Sequence, residues 1–170
     1  ELMSKTGKGD QLRLRAIVTR EKNNAVSLEK RASLLRYDSI HGDFMGSVVA
    51  DIENNALIIN GTTVHIITAN SPEEIDYTKY DIQNALIIDN TGAFTSQEAL
   101  SRHLTSIGSH KVLLTAPGKG IPNIVYGVNQ NEYDPNEVDI FSAASCTTNA
   151  ITPVLKAVED TLGVIKGHLE

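Results

Sequence analysis

The 170-residue chain has no tryptophan and a single cysteine, Cys146. One cysteine cannot close an internal disulfide, and with five scattered histidines it leaves no Cys/His metal spacing; a reducing cytoplasmic setting is expected. Basic residues are the minority, 15 Lys and Arg against 21 Asp and Glu, for a net charge of −6. That balance argues against nucleic acid or an anionic membrane as main partner, since both attract basic faces. No apolar run approaches the ~18 residues of a membrane span. Repeats, low-complexity tracts and linker-like stretches are also missing. The chain opens at Glu1 without a methionine or a leader and stops at Glu170 inside "VIKGHLE", which reads as a strand. A piece of a longer protein is therefore expected. What is present, 41% hydrophobic and 21% charged residues, is ordinary for one globular domain with a proper core.

"LRLRAIV" (12–18) alternates and then turns apolar, as a strand entering a sheet does. "VSLEKRASLLRY" puts Leu28, Ala32 and Leu35 on one helical face. "SVVADI" and "ALIIN" flank a hairpin-like turn at Glu53-Asn54-Asn55, and Asn60-Gly61 offers a second tight turn into "TTVHIITA". The stretch 46–68 is thus read as antiparallel. "ALIIDN" and "KVLLTAP" read as buried strands, with "SQEALSRHLTSI" between them as a helix capped by Ser96. "VDIFSAAS" reads as a strand leading into Cys146. Ile151, Val154, Leu155, Val158 and Leu162 then mark an amphipathic helix with Pro153 tolerated in its first turns. "GVIKGHL" reads as the start of a last strand. Apolar strands alternating with helices predict a parallel α/β sheet covered on both faces.

Cys146 stands where a strand passes into a helix. The first-turn N–H groups of a helix point back at such a thiol, favour its thiolate, and can hold a phosphate or the oxyanion formed when a thiolate attacks a carbonyl. Thr147, Thr148 and Asn149 can cap that helix, and the hydroxyls on both sides of the cysteine, on Ser145 and Thr147, add donors for anionic oxygens. The bland alternative is a buried structural cysteine, the commoner fate of a lone one; the placement favours a nucleophile. Of His41, His65, His103, His110 and His168, none carries the signature of a base. "TGKGD" and "APGKG" complete neither dinucleotide nor P-loop patterns, and the first is most simply a helix stop. Ligands of open α/β sheets sit at the carboxyl ends of strands, which selects Thr19-Arg20, Asp89-Asn90-Thr91-Gly92, the "APGKG" loop and the Cys146 turn.

"SAASCTTNAITPVLK" resembles the active-site segment of phosphorylating glyceraldehyde-3-phosphate dehydrogenases. "LLRYDSIHGDF", "DNTGAFTSQEAL", "KVLLTAPGKGIP", "YGVNQNEYDP" and "LGVIKGHLE" resemble further segments of that family in the same order, so the resemblance covers residues 10–170. The resemblance implies a Rossmann-like, mostly parallel α/β sheet with helices on both faces and an antiparallel insertion. Residues 1–170 would form a partial dinucleotide-binding domain, with the first strand, its Gly-rich loop and the substrate domain lying outside.

It further implies that Cys146 attacks the aldehyde of glyceraldehyde 3-phosphate, that hydride passes to the nicotinamide of NAD or NADP, and that inorganic phosphate cleaves the resulting thioester. Ser145 and Thr147 would hold phosphate or substrate, and Thr91, Gly92 and Thr115 would line the cofactor. The general-base histidine would fall a few residues beyond Glu170, so His168 is not it, and no meaningful turnover is expected of these residues alone. One departure bears on cofactor choice. Thr19, followed by Arg20, stands where NAD-preferring members carry an acid for the ribose hydroxyls, which would admit the 2′-phosphate of NADP unless Glu21 serves instead. Asn70 stands where a basic cofactor contact is often found. A homotetramer is implied for the full-length protein. Erythrose-4-phosphate dehydrogenase and a noncatalytic nucleotide-binding module are the alternatives.

Overall fold

The computed structural model describes residues 13–19, 27–38, 42–43 and 46–168. "TGKGD", Arg20, Glu21 and His41 lie outside the described residues. The chain divides into two compact units, residues 1–74 and 75–170.

In the first unit Ser27 caps a helix, α1 (Leu28–Arg36), by accepting a hydrogen bond from the Lys30 amide, and Glu29 and Arg36 complement the helix dipole at its two ends. The sheet has the order β1 (Ala16–Thr19), β6 (Thr62–Thr68), β5 (Ala56–Ile59), β4 (Val48–Asp51). A two-residue pair, β2 (Tyr37–Asp38) with β3 (Gly42–Asp43), stands apart from it. Both hairpin turns form where Asn residues predict them. The Asp51 carboxylate accepts the Asn54 backbone and side-chain N–H groups, and Asn55 takes φ 47°. Asn60 and Gly61 take φ 49° and 79°, the paired left-handed geometry that matches the twist of a tight hairpin. The antiparallel stretch is therefore β4–β5–β6. Its last strand has a second role, running parallel to β1 with Ala16 opposite His65 and Thr19 opposite Thr68. Ala32 and Leu28 of α1 close the core over Val48, Leu57 and Ile66, and the Arg36 guanidinium donates to the Val48 carbonyl.

In the second unit β7 (Ala85–Asp89), β8 (Ser109–Leu114) and β9 (Ile140–Ser142) form an all-parallel sheet in that order. Its core is Leu100, Val112, Leu114, Ile121 and Ile140. Leu100 comes from α2 (Gln97–Ser101), whose cap Ser96 accepts from the Ala99 amide as its sequence position predicts. The chain enters β8 through Gly108 at φ +91°, where an added Cβ would stand 2.7 Å from the Ile82 carbonyl oxygen. That oxygen is backbone and cannot swing aside. Gly108→Ala is expected to lose about 1–3 kcal/mol from strain alone, read as a lower midpoint in urea; an unchanged midpoint would refute this account of the turn.

Three expectations change. Helix α3 (Cys146–Leu162) forms, but Pro153 stands in its interior, where it has no N–H to give the Asn149 carbonyl. Its apolar stripe is not covered among the described residues: Val154, Leu155, Val158 and Leu162 are exposed and no α3 residue is buried. Residues 163–168 form no strand. Val164 and Ile165 are apolar enough for one, but a strand exists only through a pairing neighbour, and none meets them among the described residues.

Candidate active site

Because β7, β8 and β9 are parallel, their carboxyl ends lie on one edge of the sheet, and the chain leaves them as Asp89–Gly92, Thr115–Gly120 and Ala143–Cys146. Hydrogen bonds tie these exits together. The Asp89 carbonyl accepts the Thr115 amide at 3.0 Å and its hydroxyl at 3.1 Å. The Leu114 carbonyl accepts the Ala143 amide at 2.9 Å. Buried Ser142 donates its hydroxyl to the Ala116 carbonyl and accepts the Ala144 amide at 2.8 Å.

That last bond holds Ala144 at φ 58°, a left-handed conformation unusual for a residue with a Cβ. The bend turns the chain from β9 straight into α3. Ser145 is the cap: its hydroxyl oxygen accepts the Thr148 amide at 2.9 Å and lies 2.7 Å from the Thr148 hydroxyl. Asn149 reaches back and donates to the Ala143 and Ser145 carbonyls at 2.7 and 2.9 Å. Cys146 is thus the first helical residue, where backbone amides have no carbonyl of a preceding turn to bond. Its thiol is free and exposed, with the Thr147 hydroxyl 4.0 Å away. Among the described residues Cys146 is thus exposed rather than buried. An exposed thiol beside the amides that open a helix has the surroundings a nucleophile needs.

The other predicted residues sort into two groups. Thr91, Gly92 and Thr115 are exposed on the same edge of the sheet as Cys146, and a Cβ at Gly92 would meet nothing within 4 Å, so the turn offers open backbone. Hydroxyls and open backbone at parallel strand ends fit a dinucleotide. Thr19 and Asn70 belong to the first unit, at the ends of the neighbouring strands β1 and β6. The Thr19 carbonyl accepts the Ala69 amide at 2.9 Å, and the Asn70 amide donates to the Glu74 carboxylate at 3.1 Å. Glu74 thus places a carboxylate beside Asn70, the position where the resemblance suggested a basic cofactor contact is often found.

The "APGKG" loop turns two of its amides inward: Gly118 donates to the Asn123 side chain at 2.9 Å and Lys119 to the Thr95 carbonyl at 2.7 Å, so these two donors are spent inside the fold. His103 is no base for the thiol, being buried with Nε2 2.8 Å from Asp89 Oδ2. No group of three His, Cys, Asp or Glu among the described residues is placed to hold a metal. None of their helices is long and apolar enough to cross a membrane. The sequence suggested Thr147, Thr148 and Asn149 as caps of this helix, but the cap is Ser145, the residue before the first helical one. Sequence reasoning missed Ser142 and the role of Asp89; the latter had a signal, an acid closing an otherwise apolar strand, whereas Ser142 acts through folded geometry.

Comparison with known proteins adds to this geometry. Residues 8–97 match the family described as "Glyceraldehyde 3-phosphate dehydrogenase, NAD binding domain". The chain is 54% identical over 170 residues to a glyceraldehyde-3-phosphate dehydrogenase-like protein of Pseudomonas aeruginosa (strain UCBPP-PA14), covering 99% of this chain and 36% of that protein. It is 38% identical over 148 residues to glyceraldehyde-3-phosphate dehydrogenase 2 of Trichormus variabilis, covering 86% of this chain and 43% of the relative. Glyceraldehyde-3-phosphate dehydrogenase 2 of Bacillus subtilis is 36% identical over 159 residues, with 93% and 44% covered. The chain therefore spans less than half the length of each of these relatives.

Proposed function

The chain belongs to the glyceraldehyde 3-phosphate dehydrogenase family, and from that premise we propose that it carries the nucleophile and part of the dinucleotide cradle of an NAD-dependent, phosphorylating aldehyde dehydrogenase. The observation that carries the reading is the exposed Cys146 thiol at the start of α3, on the same sheet edge as Thr91, Gly92 and Thr115.

The Cys146 sulfur attacks the carbonyl carbon of glyceraldehyde 3-phosphate, and the carbonyl oxygen becomes an alkoxide that takes up a proton. The amides opening α3 and the Thr147 hydroxyl stabilise that charge as it develops. When bound, the dinucleotide supplies the hydride acceptor. Loss of hydride and of the hydroxyl proton turns the thiohemiacetal on Cys146 into a thioester. An oxygen of inorganic phosphate then attacks the acyl carbon, the C–S bond breaks, and the thiolate is regenerated with release of 1,3-bisphosphoglycerate. Anionic phosphate and the helix N-terminus attract each other throughout. Ser145 serves this chemistry as the cap that fixes Cys146, with substrate contact a further part of the proposal.

Thr91, Gly92 and Thr115 hold the dinucleotide in this reading. NAD is the acceptor in this reading, in keeping with the NAD binding domain that residues 8–97 match. The same reading takes in a cytoplasmic homotetramer. The test uses the full-length gene product, assayed for oxidation of glyceraldehyde 3-phosphate with NAD and with NADP, each with and without inorganic phosphate. Phosphate-dependent reduction of NAD, faster than that of NADP, is expected. A folded protein inactive with both cofactors would sink the reading; activity only with erythrose 4-phosphate would replace the substrate and keep the chemistry.

A further inference from the structure

One residue joins two of the dinucleotide-facing positions. Asp89 is buried, its side chain fully out of solvent, at the carboxyl end of β7. Its carboxylate Oδ1 accepts the Thr91 amide and the Thr91 hydroxyl, both at 2.8 Å. Its backbone carbonyl accepts the Thr115 amide and hydroxyl. The Thr91 hydroxyl in turn accepts the Ala93 amide at 3.1 Å, which closes the turn through Gly92. Five hydrogen bonds thus converge on Asp89, two from Thr91, two from Thr115 and one from His103.

The fifth bond is the one the proposed chemistry does not use. His103 Nε2–H donates to Oδ2 at 2.8 Å from a short 3₁₀ turn (Arg102–Thr105) that follows α2. The imidazole is itself gripped. Phe94 meets it edge to face, with ring centroids 5.1 Å apart and planes at 72°, and the Arg102 guanidinium stands 5.4 Å over the same Phe94 ring. The first residues of α2 are anchored to the "APGKG" loop, because the Gln97 amide donates to the Lys119 carbonyl. His103 therefore reaches the Asp89 carboxylate from a frame independent of β7. An apolar pair of similar volume would fill this space without the cost of burying polar groups. What the polar pair adds is direction: with Oδ2 held by His103, Oδ1 is aimed at Thr91.

We propose that His103 is a positioning residue for the dinucleotide, acting through the buried Asp89 carboxylate to fix the Thr91–Gly92 turn. The proposal rests on the reading that this turn contacts NAD. It gives His103 a role in affinity for the cofactor and none in the attack of Cys146 on the aldehyde.

The test is calorimetric titration of NAD into the full-length gene product, with steady-state KM and kcat beside it. His103→Leu leaves Oδ2 buried without its donor and frees the carboxylate to turn. It is expected to weaken NAD binding and to raise the KM for NAD roughly tenfold, the scale of one lost buried hydrogen bond. At saturating NAD, kcat is expected to stay within about twofold. His103→Gln, whose amide N–H can donate to Oδ2, is expected to recover most of the affinity. Should the leucine variant fail to fold, His103→Asn reads the same way, since its shorter amide does not span to the carboxylate. Leu100→Val is the control for general destabilisation of the same core and is expected to leave NAD affinity unchanged.

Wild-type affinity in the leucine or asparagine variant, or an equal loss in Leu100→Val, would overturn the proposal while the NAD reading stood. Absence of NAD binding by the folded wild-type protein would instead remove the reading on which it rests, and the proposal with it.

Discussion

Cys146→Ser in the full-length protein is expected to lower kcat for aldehyde oxidation by ~10⁴-fold or more, with the melting temperature and NAD affinity unchanged. The size of the loss follows from the chemistry. A hydroxyl is a far poorer nucleophile than a thiolate at neutral pH, and no side chain among the described residues stands where it would activate one. That the fold should survive follows from the geometry. The Cys146 side chain is exposed, with the Thr147 hydroxyl 4.0 Å away. The cap that starts α3 belongs to Ser145, and the bend before it belongs to Ser142 and Ala144. The variant therefore separates chemistry from structure. Rapid labelling of the wild-type thiol by iodoacetamide, absent in the variant, confirms which sulfur was removed. Residual activity above roughly a hundredth of wild type would point to a different nucleophile.

Leu114→Ala is expected to cost about 2–5 kcal/mol in unfolding of the second unit, the usual range for a large-to-small change in a sealed core. Leu114 is 1% exposed at the centre of the three-stranded sheet, packed with Leu100, Val112, Ile121 and Ile140. Deleting its isopropyl group leaves a cavity that rigid strands on both sides cannot close. The same residue's carbonyl receives the Ala143 amide, so a shift of β8 reaches the cysteine turn directly. The matched comparison is Ile88→Ala on β7, where the side chain is 56% exposed and the loss should stay below about 1 kcal/mol. Both are read from urea midpoints of the full-length protein. Equal shifts would mean that burial is misassigned in this sheet.

Local signals carried much of the fold. The alternation of "TTVHIITA", the turn chemistry of Asn60-Gly61 and the cap at Ser96 each depend on residues within a few positions of one another, and each element formed where expected. Apolar pattern alone misled at residues 163–168, because a strand is a relation between two segments and the pattern describes only one. The same limit hid the second role of β6, whose sequence does not say that β1 runs parallel beside it.

The site divides along the same line. The sequence by itself determined the local features: one thiol, hydroxyls around it, and a strand-to-helix passage that puts amides behind it, all within Ser142–Asn149. Tertiary structure alone decided which distant groups meet at that edge of the sheet. Asp89 meets His103 across 14 positions and Thr115 across 26, and the Ser142 hydroxyl reaches Ala116 across 26 more. Parallel strands return each chain segment to the same edge only after a full crossover. The groups that meet there are therefore distant in sequence, and no local propensity records that they touch.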